Sequence, residues 1–493
     1  MLRKTNPWLG IGLALSAPVL LRAGQPLPAH PKDIEYHSLE YKVPPASQFR
    51  EVLSNGMVVY IAEDRMLPTF DLTVTLRTGS AVEPPDKAGL ASLTGEQMRD
   101  GGTKSLSPAK LDDEVEFLAA SLFTSIGETR GRAGVSCLVK DVDKGLELLV
   151  DVLRHPGFDE DRLRLAKERH LQNIKRRNDA TASIARIEWG FLLNGDDHFG
   201  NRYPSSTTIS AITRDDLLAF HHKYVHPGNM IVAVAGDFDR AVMLDKLEDT
   251  FGHWPVGETG PQTFPAPNHT PEPGVRVIHK DDVNQGRVAI GHKAIMRGTP
   301  DEFALRVMNG ILGASGFRSR LVATVRSDEG LAYNTGSRFD QGVYYPGDFQ
   351  CWFQSKSNSC AYATKLVLDE IARLRDEKVS RADVDDAVSY YVEAFPQQFQ
   401  SKMALLKTYV SDEYTGRNLD YWQTYVDNLK RVTPDGVQRV ARKYLHPDQL
   451  VIVAVGDADA MLAGGYDKAP NLRFDAFGKV TRMRLRDPDT LKR

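Results

Sequence analysis

Strand patterns run along residues 57–62 and 69–77, and again along 274–279 and 287–292, with apolar and polar residues alternating most clearly along 69–77. Period-two alternation of this kind marks a strand with one buried face. The pattern then changes register. Residues 132–139 read as a further strand and 144–153 as an amphipathic helix directly behind it. Strands that follow one another directly, mixed with strands that follow helices, predict an α+β or mixed α/β sheet layered with helices rather than a purely parallel doubly wound sheet.

The chain also repeats itself. Residues 212–239 (ITRDDLLAFHHKYVHPGNMIVAVAGDFD) align without a gap to residues 432–459 (VTPDGVQRVARKYLHPDQLVIVAVGDAD). In each copy a threonine, Thr213 or Thr433, is a helix N-cap candidate. An amphipathic helix runs from it to Lys-Tyr, His-Pro stops the helix, and an apolar strand ends at Gly-Asp. A duplication over this distance predicts two domains of similar fold, 48–254 and 275–465, joined by a linker at 255–274 that is dense in Pro, Gly and Thr.

At the N-terminus, Arg3 and Lys4 precede an apolar stretch at 7–21, interrupted by Gly10, Gly12, Ser16 and Pro18. This reads as a secretory signal peptide over residues 1–23, followed by an extension at 24–47, with residues 466–493 trailing as a C-terminal tail. The expectation is an exported, periplasmic chain with no membrane span after signal removal. Composition narrows the partners. With 41% hydrophobic and 26% charged residues and a net charge of -3, the chain has the material for large cores and no bias toward nucleic acid or anionic lipid. Cys137, Cys351 and Cys360 make neither a disulfide framework nor a zinc cage, and a bridge between Cys351 and Cys360 stays open.

Several short motifs share an order and spacing. They are Leu53-Ser54-Asn55-Gly56-Met57, Gly79-Ser80-Ala81 with Glu83, Gly89-Leu90-Ala91, Gly101-Gly102-Thr103, His155-Pro156-Gly157-Phe158 and the repeated Tyr-x-His-Pro unit. Together they resemble the pitrilysin/insulinase/mitochondrial processing peptidase family across nearly the whole mature chain. The resemblance implies a clam-like pair of homologous domains, with a zinc site on the first and substrate-orienting residues on the second.

Active relatives carry the inverted motif H-x-x-E-H directly after Gly-Leu-Ala, two histidines holding zinc and a glutamate activating its water. Here Ser92 takes the first ligand position, Gly95 that of the base and Glu96 that of the second ligand, and Asn173 aligns with the third. Glycine cannot accept a proton, and serine and asparagine are poor zinc ligands, so the family mechanism is closed to this chain alone. No other cluster replaces it: His222 and His226 stand four apart after His221, but no carboxylate accompanies them and His226 belongs to the helix-stopping His-Pro.

The second half keeps more. Arg326 followed by Gly330-Leu331-Ala332-Tyr333 resembles the family's R-x-x-x-G-L-x-Y motif, in which tyrosine donates to the developing oxyanion and arginine orients substrate. The competing reading is a helix-capping arginine and a half-buried sheet tyrosine. Gly313-Ala314-Ser315-Gly316-Phe317 reads as a tightly packed turn rather than a phosphate loop. Residues 347–353, with Gln354-Ser355-Lys356, resemble the edge strand on which such peptidases lay extended peptide. The resemblance thus implies a non-catalytic subunit that binds no cofactor, with zinc in a homologous partner bearing H-x-x-E-H, and with Arg326 and Tyr333 supplied in trans. A structural or peptide-binding subunit is the alternative, and an autonomous peptidase the third reading.

Overall fold

The two copies of the repeat end in strands that occupy equivalent central places in two six-stranded sheets. The computed structural model describes residues 30, 34, 41–260 and 263–493, so the expected signal peptide lies outside the described residues. The first sheet contains β1 (Arg50–Val52), β2 (Val58–Glu63), β3 (Thr69–Leu76), β4 (Ser121–Ile126), β5 (Gly131–Leu138) and β6 (Met230–Gly236), in the order β1-β2-β6-β3-β5-β4. The second contains β7 (Gly274–His279), β8 (Gln285–Lys293), β9 (Thr335–Phe339), β10 (Asp348–Lys356), β11 (Val451–Gly456) and β12 (Val480–Met483), in the order β12-β7-β11-β8-β10-β9. β6 runs parallel to β2 and antiparallel to β3, and β11 runs parallel to β7 and antiparallel to β8. Both strands are buried along their whole length, which is why each reads as an unbroken apolar run. Their preceding helices, Arg214–Tyr224 and Pro434–Tyr444, are capped by Thr213 and Thr433, whose hydroxyls accept from the backbone amides of Asp216 and Gly436. The fold is therefore two homologous domains, each a mixed sheet layered with helices.

Five helices of the first half matter for the site: α1 (Leu90–Asp100), α2 (Pro108–Phe117), α3 (Val142–Arg154), α4 (Glu160–Lys175) and α5 (Thr181–Asn194). The first four pack within their own domain. The fifth leaves it: Ile184, Ala185, Trp189 and Leu193 of α5 form a core cluster with Ile278, Ala289, Val451, Val453 and Val455 of the second sheet. The exchange is reciprocal. In the helix Lys402–Thr415 of the second half, Leu405, Leu406 and Tyr409 join a core with Tyr60, Ala62, Ile231 and Ala233 of the first sheet. At that contact Arg50 makes a bidentate pair with Glu413 at 3.0 Å through both nitrogens, and the Tyr60 hydroxyl donates to the same carboxylate at 2.9 Å. The two halves are interlocked, and residues Lys42–Arg493 form one compact unit.

Two expectations change. Residues 466–493 are not a trailing tail, since β12 extends the second sheet beside β7. Beyond it the chain crosses to the first half, where Arg486 and Arg493 pair with the buried carboxylate of Glu188 on α5. The segment 347–353 is not an edge: β10 pairs with β8 along its length and with β9 over Phe349–Phe353 on the other side. The edges of the second sheet are β12 and β9. Cys137, Cys351 and Cys360 are all free and buried, so Cys351 and Cys360 are not bridged. Among the described residues no helix is long and apolar enough to cross a membrane.

Candidate functional site

Helix α1 begins at a left-handed Gly89, whose φ is 103°. The cap comes from a residue six positions earlier. The buried carboxylate of Glu83 accepts from the amides of Gly89 at 3.0 Å and Ala91 at 2.8 Å, which satisfies two of the helix's orphan donors. Ser92 and Glu96 follow one turn apart on this helix, both partly buried. The Glu96 carboxylate is hydrogen-bonded to Nε2 of His170 at 3.1 Å and ion-paired with Arg169, both on α4. The His170 hydrogen bond and the Arg169 charge hold the Glu96 carboxyl below the ordinary carboxylate range in spite of partial burial. Asn173, one turn further along α4, is exposed and borders a concavity that His170 also lines. His170 and Arg169 lie outside the motif positions that the sequence singles out. The detectable signal was their place one turn before the aligned ligand position.

Zinc requires three or four histidine, cysteine or carboxylate donors converging on one point. Ser92, Glu96 and Asn173 offer one carboxylate, and it is already neutralised by a guanidinium. Position 95 is closed more firmly than its lack of a side chain implies. A Cβ on Gly95 would lie 2.2 Å from the backbone nitrogen of Ile126 and 2.7 Å from the carbonyl carbon of Ser125, so α1 lies against β4 where a base would have to stand. These residues do not fit a catalytic zinc centre. Among the described residues, no group of three or more His, Cys, Asp or Glu gathers around a point elsewhere. Of the first repeat's histidines, His222 is exposed, while His221 and His226 are structural. His221 Nε2 lies 2.8 Å from the carbonyl of Leu153, and burial pushes its pKa down to about 4. His226 accepts from the amide of Gly257 at 3.1 Å and meets Asn229 at 3.2 Å.

Arg326 and Tyr333 are brought together, at a site distinct from α1 and α4. Arg326 lies in the π-helical segment Val322–Asp328, and its guanidinium carbon sits 4.5 Å from the ring centre of Tyr333 and 4.6 Å from that of Phe317. The loop between is rigidly placed. Gly330 adopts φ 62°, its amide bonds to the Arg326 carbonyl at 3.1 Å, and Ser355 donates to the carbonyl of Leu331 at 2.8 Å. Ala332 is buried, whereas Tyr333 is 85% and Phe317 70% exposed. Tyr333 is thus neither in a strand nor half-buried. It stands two residues before β9, at the start of an edge. Gly313 packs where a Cβ would fall 2.5 Å from the Ser337 nitrogen, so the glycine-rich turn serves the close approach of a π-helical turn to β9.

Comparison with known proteins gives the same picture. The insulinase (peptidase family M16) profile matches residues 58–186, and the profile described as the peptidase M16 inactive domain matches residues 211–391. The chain belongs to this family of zinc peptidases. Within the family it is an inactive homologue, without the H-x-x-E-H motif. It is 24% identical to an uncharacterized zinc protease, YmxG, of Bacillus subtilis, over 69% of this chain and 81% of the relative. A non-peptidase homolog, YmxG, of Helicobacter pylori is 22% identical over 83% of this chain and 94% of the relative. A probable mitochondrial-processing peptidase subunit beta of Arabidopsis thaliana is 23% identical over 82% and 77%. Among solved structures, a peptidase M16 inactive domain from Pseudomonas fluorescens superposes with a TM-score of 0.74 at 24% identity, covering 83% of this chain and 97% of that one. The periplasmic protease PqqL of Escherichia coli gives 0.68 at 16% identity, covering 88% of this chain and 49% of that one.

Proposed function

We propose that this chain is the non-catalytic subunit of an exported, two-subunit zinc metallopeptidase, and that it contributes Arg326 and Tyr333 to an active site whose zinc is held by a homologous partner. The observation that carries this reading is the exposed stack of Phe317, Arg326 and Tyr333. A tyrosine left 85% exposed on a loop pinned at Leu331 and Ala332, its ring held by Arg326, is a pre-aimed hydroxyl donor. Its neighbour β9 is the terminal strand of the second sheet, where an extended peptide could be laid. The periplasmic location named for the Escherichia coli neighbour, and the subunit named among the relatives, accord with export and with assembly.

The test is to reconstitute the pair with wild-type and Tyr333→Phe chains, verify equal assembly by sedimentation, and compare cleavage of a fluorogenic peptide at saturating substrate. Loss of one oxyanion donor costs a factor of about 100 to 1,000 in turnover. Equal turnover would remove the catalytic role and leave a structural or peptide-binding subunit.

A further inference from the structure

The helix that lacks the metal ligand ends in a cluster of positive charge. Arg176 caps the C-terminus of α4 and Arg177 follows it. With His170 of α4 and Arg186 of α5 they line a concavity of about 410 Å³ bordered by no aspartate or glutamate. Among the described residues none of the three arginines is in an ion pair. Arg177 donates instead to the backbone carbonyls of Pro488 and Pro204, both at 2.6 Å, and burial lowers its pKa. Asp489 and Asp487 lie near enough to offset part of the Arg177 charge, whereas Arg176 and Arg186, exposed and in no ion pair among the described residues, leave the hollow a local positive potential. His170 links this hollow to Glu96, so fixed side-chain cations stand beside the position where active relatives hold a metal.

The hollow adjoins a second one of mixed character. Arg186 also borders a concavity of about 490 Å³ in which Arg130, at the tip of the β4–β5 hairpin, and Arg338 of β9 are balanced by Glu128, Asp340 and Asp348, and which adds the aromatic rings of Trp189, Tyr344 and Tyr345. β4 is an edge strand of the first sheet. A free inorganic anion has no use for the aromatic half of this surface, whereas an extended chain has a use for both halves.

We infer that the hollow between α4 and α5 is a carboxylate-binding site that takes an acidic segment of a peptide, without cleaving it. Planar guanidinium groups match carboxylates in bidentate geometry and lose little on ordering. The inference stands on this chain's own geometry and holds with or without a partner subunit.

The experiment measures fluorescence anisotropy of the full chain with a fluorescein-labelled decapeptide containing four consecutive glutamates, and with its matched glutamine peptide. Arg176 and Arg186 are exposed, so Arg176→Ala/Arg186→Ala should keep the fold, which a thermal melt checks. The expected result is glutamate-peptide binding at least about tenfold tighter than glutamine-peptide binding, weakened at least about tenfold in the double variant and by added salt. Equal affinity for the two peptides, or an unchanged affinity in the double variant, would overturn the inference. Displacement of the peptide by equimolar inorganic phosphate would assign the site to free anions, and tighter binding of a labelled oligonucleotide would assign it to phosphate backbones; either result overturns the peptide assignment.

Discussion

Gly95 of α1 lies so near Ile126 of β4 that any Cβ at position 95 would come within 2.2 Å of the Ile126 backbone nitrogen. The loss of the general base and the packing of the helix are therefore one structural event. Once the helix has settled onto the strand, the base cannot return without moving one of them.

Gly95→Ala is expected to destabilise the chain by about 3 kcal/mol, as overpacking against backbone does, even though alanine is the better helix former. Chemical denaturation checks it; a stabilised variant would show that the strand yields. For the same reason the triple change Ser92→His, Gly95→Glu, Glu96→His is expected to take up no stoichiometric zinc by elemental analysis.

Arg326→Lys tests the stack itself. A flat guanidinium lies between Phe317 and Tyr333, and each cation–π contact of this sort contributes about 0.5–1 kcal/mol. Loss of both orienting contacts is expected to lower turnover of the assembled pair roughly tenfold, with assembly unchanged by sedimentation.

Trp189→Ala tests the exchange of helices. The indole belongs to the first half of the chain but is 4% exposed within the second sheet's core. The expected cost is about 3–5 kcal/mol. Calorimetry should still show one transition, because a helix shared across domains couples their unfolding; two separated transitions would contradict the interlock.

Acid sensitivity should trace to His221, whose pKa is depressed to about 4 in the fold against about 6.5 in the unfolded chain. A depressed histidine contributes its full stability above the unfolded value and loses it as pH falls from about 6.5 to 4. Between pH 7 and pH 5, His221→Gln, which keeps a donor for the Leu153 carbonyl, is expected to lose about 2 kcal/mol less than wild type. His292, also depressed to about 4, keeps part of the acid slope in that variant, while Asp412, raised to about 6 by burial, opposes it. Urea titrations at the two pH values measure the difference.

The features legible in the sequence were the local and repeated ones. The duplicated helix–strand unit, the strands over 274–279 and near 69–77, and the departures at Ser92, Gly95 and Glu96 are all carried by residues close together in the chain. Periodicity and motif spacing report such residues directly. The tertiary structure alone decided which sheet each helix covers. The apolar stripe of α5 reads the same whether it lies on its own sheet or on its neighbour's, and only the complementary surfaces of Val451, Val453 and Val455 place it on the latter. The same holds for β10, whose strand pattern is clear but whose interior position depends on pairing with β8 and β9. It holds too for Glu96, whose partners Arg169 and His170 come from a helix more than 70 residues away. Hydrophobic pattern records that a side chain is to be buried; the partner that buries it is set by packing between distant segments, which no local window contains.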